Sequence, residues 1–230
     1  MSLVVNVDPR WEAGRPSIDQ VRRNAITWVR MTSLPENEDY AAECLANGAR
    51  TLAIYTGESD NAGKYVLRAA SAIQVGNEPQ FAMNGDASWP TGGPDDMVNV
   101  WNHVTKVLIP SVHPGGIPLV GPGIWDKDFQ QWALVAGRLQ GISAAAVHVY
   151  PGASGHTLTQ TRAFLAKYRA VRADLPLLCT EWRVWGDQLL ATARAIDTYC
   201  DHKFIFAWSD GVPGHGINGK PDQGVLALAA

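Results

Sequence analysis

Short apolar runs recur along the chain, and most of them end in glycine, proline or a polar residue. This pattern is typical of parallel strands that are buried on both faces. It predicts eight strands, which cover residues 2–8, 26–33, 50–57, 72–78, 117–123, 144–151, 175–182 and 203–210.

Amphipathic segments with a helical period follow the first seven of these runs. The segment after the second run begins with acidic residues and ends at Gly48, as expected of a helix. The predicted helices cover residues 17–25, 36–48, 61–70, 95–108, 127–139, 157–173 and 186–200. The C-terminal "GVLALAA" leaves room for one short helix after the last strand.

Eight strands that alternate with helices predict an α/β fold, a (β/α)₈ TIM barrel. No low-complexity linker or shift in composition divides the chain, so we expect residues 1–230 to form one minimal domain with short loops. A doubly wound open sheet is the alternative. That fold would lead us to expect a dinucleotide-binding fingerprint after the first strand, and "VNVDPRWEAG" contains none.

The composition excludes several classes of partner. Hydrophobic residues make up 46% of the 230 residues, and the formal net charge is −3. Without a basic stretch we expect no binding to nucleic acid, and without an apolar run of about 18 residues we expect no membrane span. We expect a monomer. The N-terminus does not resemble a signal peptide, yet a secreted, cell-wall or cytoplasmic location stays open, and the excess of arginine over lysine favours a bacterial or phage source.

The cysteines and histidines have no metal-ligand spacing, so we predict no metal ion and no cofactor. Cys179 lies in an apolar run and is expected to be a small buried residue. The nine tryptophans exceed what core packing alone requires in a chain of this size, and aromatic faces suit the flat apolar surfaces of sugars.

Polar and aromatic side chains stand where the predicted strands end. In a (β/α)₈ barrel the carboxyl ends of the strands share one face, and the chemistry takes place there. Two glutamates, Glu78 at the end of the fourth strand and Glu181 at the end of the seventh, are expected to meet at this mouth. The remaining candidates at strand ends are Asp8, Arg30, Tyr55, Asn77, His148, Tyr150, Trp208 and Asp210.

With these residues the chain resembles the retaining glycoside hydrolases of clan A, the barrel superfamily that includes cellulases and mannanases. The resemblance rests on "GNEP" around Glu78 and "CTEW" around Glu181, with "WVRMTS", "VHVYP" and "FAWSDG" at the matching strands. It extends over the whole predicted barrel. In size and in its motifs the chain is also similar to the small endo-β-1,3-glucanases of this clan.

The resemblance implies a role for each carboxylate. A retaining glycosidase needs two carboxyl groups about 5 Å apart, one protonated and one ionised. Glu78 is then the general acid and later the base, and Glu181 is the nucleophile. Arg30 is expected to keep Glu181 ionised, and Tyr150 is expected to donate a hydrogen bond to it.

The other candidates are expected to contact the substrate. Asn77 resembles the residue that binds the sugar 2-hydroxyl, and Trp208 would lie under the sugar at the cleavage point. His148 would contact sugar or carboxylate, and Tyr55 would bind substrate. Trp125 is a further sugar platform, Trp89 would border the cleft, and Trp101 and Trp132 are expected to pack helices against the barrel.

The predicted substrate is a β-linked polysaccharide that lies across an open groove and is cut internally. A glycan-binding barrel without activity is an alternative, although such a barrel would be expected to lack one of the two glutamates. A cell-wall lysin acting on peptidoglycan also stays open. A phosphate-binding barrel enzyme is disfavoured, because "DGVPGHGINGK" after the eighth strand matches no phosphate-loop pattern.

Overall fold

Eight parallel strands close into a barrel. The computed structural model describes residues 3–7, 15–56, 65–78, 94–152, 156–182 and 189–205. Each strand pairs with the next along the chain, and Val5 of the first strand pairs with Ile205 of the last. The strands are β1 (Leu3–Asn6), β2 (Ile26–Thr32), β3 (Arg50–Tyr55), β4 (Ala72–Val75), β5 (Leu119–Trp125), β6 (Ala144–Val149), β7 (Leu177–Trp182) and β8 (His202–Ile205). The predicted (β/α)₈ barrel is confirmed, and the open-sheet alternative is wrong.

Helices occupy most of the connections between the strands. Ser17 and Thr157 each begin a helix with a capping box, in which the hydroxyl accepts from the backbone three residues on and a glutamine side chain returns the bond. The helices are α1 (Ile18–Arg23), α2 (Glu38–Ala46), α3 (Pro94–His103), α4 (Ile109–Val112), α5 (Phe129–Val135), α6 (Leu158–Val171) and α7 (Leu189–Tyr199). A π-helical segment, Val104–Leu108, joins α3 to α4, and the second residue of α4 is Pro110, which has no backbone N–H to donate.

The helix predicted over 61–70 is wrong for its described part, because residues 65–70 form irregular chain with a turn at 68–69. Side chains of earlier segments bind the backbone donors that a helix would use. Glu38 accepts from the N–H groups of Arg68 (3.0 Å) and Ala69 (2.8 Å) and from the hydroxyl of Tyr65 (2.7 Å). The apolar periodicity of this segment reflects the burial of Val66 and Leu67.

Two apolar clusters lie on opposite sides of the sheet. One fills the barrel interior, and the other lies between the strands and the helices. The interior cluster consists of Val4, Leu52, Ala72, Val120, Ala144, Ala146, Leu178 and Phe204. Within the described ranges no helix combines the length and the apolar character that crossing a membrane requires.

The turn that Glu38 holds can be tested by substitution. Glu38→Ala removes a carboxylate that accepts three hydrogen bonds, so we expect the free energy of unfolding to fall by about 2 kcal/mol. Glu43→Ala, at an exposed position of the same helix, is the control and should change it by less than about 0.5 kcal/mol. Urea denaturation measures both variants. Equal stabilities for the two would contradict the anchoring role of Glu38.

Candidate active site

The two glutamates meet at the carboxyl end of the barrel. One carboxylate oxygen of Glu78, one of Glu181 and a ring nitrogen of His148 all lie within 4.8 Å of one another. The side chain of Glu181 is 8% exposed and that of Glu78 is 21% exposed. The expectation that strands four and seven bring these carboxylates together is therefore met, and the two groups differ in their access to solvent.

A β-bulge aims Glu181 into the mouth. Leu178 points into the barrel, so strict alternation along β7 would turn Thr180 inward and Glu181 outward. Instead, His148 pairs with Glu181 directly after Val147 has paired with Cys179, and Thr180 is the extra residue. The side-chain amide of Asn6 donates to the Thr180 carbonyl oxygen at 2.8 Å, which supports the bulge from β1.

An unusual backbone presents Glu78. Its φ of 48° lies in the left-handed region, which non-glycine residues seldom adopt. The preceding Gly76 also has a positive φ, at 96°. The Glu78 N–H donates to the Gly123 carbonyl oxygen at 2.8 Å, and Asn77 forms an isolated bridge with Gly123. Backbone strain of this kind concentrates at functional sites, where neighbouring bonds hold it in place.

Arg30 occupies the centre of the site. Its side chain is 2% exposed, and all of its nitrogens have partners. Nη1 donates to Glu181 Oε1 at 2.6 Å. Its remaining hydrogen bonds reach Asn6 Oδ1 at 2.7 Å, Gln74 Oε1 at 2.9 Å and Asn77 Oδ1 at 2.6 Å. The expected pairing of Arg30 with Glu181 is present, and the guanidinium also links Asn6 of β1, Gln74 of β4 and Asn77, which follows β4.

Glu181 is held in its ionised form. Burial by itself would raise the pKa of Glu181, but the electrostatic attraction of His148 and Arg30 and the hydrogen bonds from Tyr150 and Arg30 lower it below the ordinary value. Tyr150 donates its hydroxyl to Glu181 Oε2 at 2.5 Å. Burial and the nearby carboxylates raise the pKa of Tyr150 well above its ordinary value, so the phenol keeps the proton that it donates.

Glu78 has different contacts. Its Oε1 accepts from the indole N–H of Trp125 and lies 2.6 Å from Nδ1 of His148. The opposite ring nitrogen of His148, Nε2, lies 3.6 Å from Glu181 Oε1, so the imidazole bridges the two carboxylates. His148 is completely buried. The sequence assigned Trp125 to sugar stacking, and the structure shows in addition that its edge contacts the carboxylate.

Three residues of the site were not singled out in the sequence. Asn6 and Gln74 are buried polar residues inside short apolar strands, and that polarity was the available signal. A Cβ on Gly123 would lie 2.3 Å from His148 Nε2 and 2.9 Å from Gln74 Nε2, so any side chain there would displace the imidazole. Nothing in the single sequence distinguishes Gly123 from a glycine of a turn.

The remaining candidates lie elsewhere or outside the described residues. Tyr55 packs in the apolar cluster between the barrel and the helices, where burial raises the pKa of its hydroxyl, and its substrate contact stays a prediction. Trp101 and Trp132 are buried in the same cluster, as expected, and Trp182 joins them. The predicted positions Trp208, Asp8, Asp210 and Trp89 lie outside the described residues.

The cluster of Glu78, His148 and Glu181 has the atom types that bind divalent cations. However, Arg30 already lies 2.6 Å from the Glu181 carboxylate and neutralises the charge that would attract an ion. The arrangement is suited to acid–base and nucleophilic chemistry by two carboxyl groups in different surroundings. That the site works without a metal stays a prediction.

Comparisons with known proteins support the fold. Neither a protein-family model nor a curated protein sequence matches the chain. Among solved structures, a family 128 (subgroup I) endo-β-1,3-glucanase from Amycolatopsis mediterranei is similar, at 15% identity and a TM-score of 0.62, over 100% of both chains. A family 128 (subgroup VII) oligosaccharide-binding protein from Cryptococcus neoformans matches at 14% identity and a TM-score of 0.56, over 89% of this chain and 87% of that one.

A glucosidase from Croceicoccus marinus matches at 15% identity and a TM-score of 0.61. The match covers 90% of this chain, which spans only 60% of the length of the glucosidase. The chain therefore has the fold of the clan A glycoside hydrolases, and identities this low show the fold alone.

The charge pairing at Arg30 predicts a change in pH dependence. Arg30→Met removes the guanidinium, so the pKa of Glu181 should rise toward the value that burial favours. The predicted role of Glu181 as nucleophile requires the ionised form, so activity should then be lost at a higher pH as the solution is acidified. The acid limb of kcat/KM against pH measures this. Arg23→Met, at an exposed position of α1, is the control, and an unchanged acid limb in folded Arg30→Met would contradict the pairing.

Proposed function

We propose that the protein is a retaining glycoside hydrolase that cleaves a β-linked polysaccharide internally. The observation that carries the proposal is the pair of carboxylates, with oxygens within 4.8 Å of each other, in unlike surroundings. Retaining enzymes place their carboxyl groups about 5–5.5 Å apart, and inverting enzymes about 6.5–9.5 Å apart. The spacing of Glu78 and Glu181 supports the retaining mechanism.

Glu181 is the nucleophile in this proposal. Its lowered pKa keeps it ionised, and Arg30 and Tyr150 hold its two oxygens in fixed directions. In the first step Glu181 attacks the anomeric carbon, and the bond from that carbon to the leaving oxygen breaks. The sugar is then joined to Glu181 as an ester.

Glu78 is the general acid and then the general base. Both of its described contacts, with Trp125 and His148, are at Oε1, so we assign the transferred proton to Oε2. Glu78 donates this proton to the leaving oxygen in the first step. In the second step it takes a proton from water, and that water oxygen attacks the anomeric carbon and releases Glu181.

We assign Asn77 to binding a sugar hydroxyl. Its Oδ1 accepts from Arg30 at 2.6 Å, so the orientation of its amide is fixed and the amide nitrogen is the donor presented on the other side. This supports a hydrogen bond from Asn77 to the 2-hydroxyl of the sugar, a contact that strengthens in an oxocarbenium-like transition state. Trp125 and, outside the described residues, Trp208 are proposed to complete the sugar contacts.

Release of reducing sugar from a panel of polymers tests the proposal. The panel contains β-1,3- and β-1,4-glucans, xylan, mannan and peptidoglycan, and we expect hydrolysis of at least one β-linked glucan. Two alternatives give different results. A glycan-binding barrel, comparable to the oligosaccharide-binding protein from Cryptococcus neoformans, would bind a polymer without cleaving it. A cell-wall lysin would act on peptidoglycan alone.

Substitution of each glutamate should separate their roles. Glu181→Gln should abolish activity on every substrate, because the nucleophile is required whatever the leaving group. Glu78→Ala should lose at least about 100-fold in kcat/KM on the polymer and much less on aryl glycosides with activated leaving groups, which depart without a proton. Glu36→Gln, at an exposed position, is the control. Equal losses on both substrate types for both variants would refute the assignment.

The internal mode of cleavage has its own test. The predicted short loops would leave an open groove, in which several sugars bind in line on both sides of the carboxylates. We expect a spread of oligosaccharides within the first few per cent of the digestion, measured by chromatography of the products. Only mono- or disaccharide at that stage would show that the enzyme acts from a chain end.

A further inference from the structure

A buried Asp–His pair lies beside the site and is not one of its catalytic groups. Asp126 directly follows Trp125 and is completely buried. Its Oδ2 lies 2.8 Å from Nε2 of His156, which is 7% exposed. A buried carboxylate destabilises a protein unless it is hydrogen-bonded, so we expect the hydrogen bond between Asp126 and His156 to persist in the folded protein. Its location at the end of β5 places it against the segment that presents Trp125 to Glu78.

The segment at Trp125 is held from a second direction. The hydroxyl of Tyr168, on α6, donates to the carbonyl oxygen of Trp125 at 2.7 Å. The ring of Tyr168 packs edge-on against Phe129, with the ring centroids 5.4 Å apart. The backbone of Trp125 is thus fixed by Tyr168, and the next residue, Asp126, is fixed by His156.

His156 also contacts the end of β6. Its carbonyl oxygen accepts from the N–H of Gly152 at 3.1 Å, in the turn that follows Tyr150. The ring centroids of Trp125 and Tyr150 lie 5.6 Å apart. His156 therefore connects the end of β5, where Trp125 donates to Glu78, with the end of β6, where Tyr150 donates to Glu181.

We propose that Asp126 and His156 are positioning residues, which hold the Trp125 indole against Glu78 and so fix the direction of the proton-donating carboxyl. Neither residue touches the substrate in this proposal. The consequence for activity rests on the proposed glycosidase function, whereas the consequence for the indole contact does not.

The indole contact can be measured without any substrate. An amide correlation spectrum of the ¹⁵N-labelled protein contains the indole N–H signals, and Trp125→Phe identifies the signal of Trp125. We expect a strongly downfield proton shift in the wild type, because the indole donates to a carboxylate, and a clear upfield move in His156→Ala and Asp126→Ala. His156→Gln keeps a donor at the equivalent atom and should restore most of the shift.

The control and a milder variant complete this test. His113→Ala removes a histidine whose Nε2 contacts the Leu67 carbonyl oxygen at 2.9 Å, away from the site, and should leave the Trp125 signal in place. If the alanine variants of the pair do not fold, Tyr168→Phe deletes one hydroxyl that holds the same segment and should move the signal. An unmoved Trp125 signal in folded His156→Ala or Asp126→Ala, or in Tyr168→Phe when those do not fold, overturns the proposal.

Kinetics then test the effect on proton donation. In His156→Ala we expect kcat/KM to fall about tenfold for aryl glycosides with poor leaving groups and less than twofold for good ones, because only the former need the acid. A role in stability alone would lower both equally, and this result would also overturn the proposal. If the wild type hydrolyses no glycoside but the Trp125 signal moves, the proposed function fails and the positioning role stands.

Discussion

The buried guanidinium of Arg30 is the interaction on which the site depends. A charge that is almost fully buried is stable only when its donors have partners. The partners of Arg30 come from β1, β4, the segment directly after β4, and β7, and they are Asn6, Gln74, Asn77 and Glu181. The same contacts fix the orientation of the amides of Asn6, Gln74 and Asn77. Removing one partner of such a network leaves a buried charge uncompensated, so the network keeps the polar end of the barrel in a single arrangement.

The side chains of the site give the carboxyl groups of Glu78 and Glu181 different surroundings, although the two groups are chemically identical. Glu181 accepts hydrogen bonds from the guanidinium of Arg30 and the phenol of Tyr150, and its pKa lies below the ordinary value although it is buried. Glu78 contacts the indole of Trp125 and the imidazole of His148, and it is more exposed to solvent than Glu181. A pair of carboxyls with such different surroundings can divide nucleophilic and acid–base work between them at one pH. The barrel sets the distance between the two carboxyl groups, and their neighbouring side chains give them different surroundings.

Much of this could be predicted from the sequence, because buried parallel strands leave strong apolar runs and because polar residues at their ends are conspicuous. Arg30, Glu78, His148, Tyr150 and Glu181 were found in this way, and the structure brings them together. The inward aim of Glu181 could not be derived, since it depends on the bulge at Thr180, and a bulge has no signal in strand periodicity. The false helix at 65–70 has a similar cause, because apolar spacing does not reveal that Glu38 binds the backbone donors.

The stereochemistry of the first product tests the central claim most directly. Proton NMR of the hydrolysis of a β-linked substrate, recorded before the product mutarotates, reports the configuration at the new reducing end. Two carboxylates this close predict that the β-anomer appears first and the α-anomer only later, by mutarotation. Initial formation of the α-anomer would show inversion and would contradict the account in which Glu181 forms a covalent bond to the sugar.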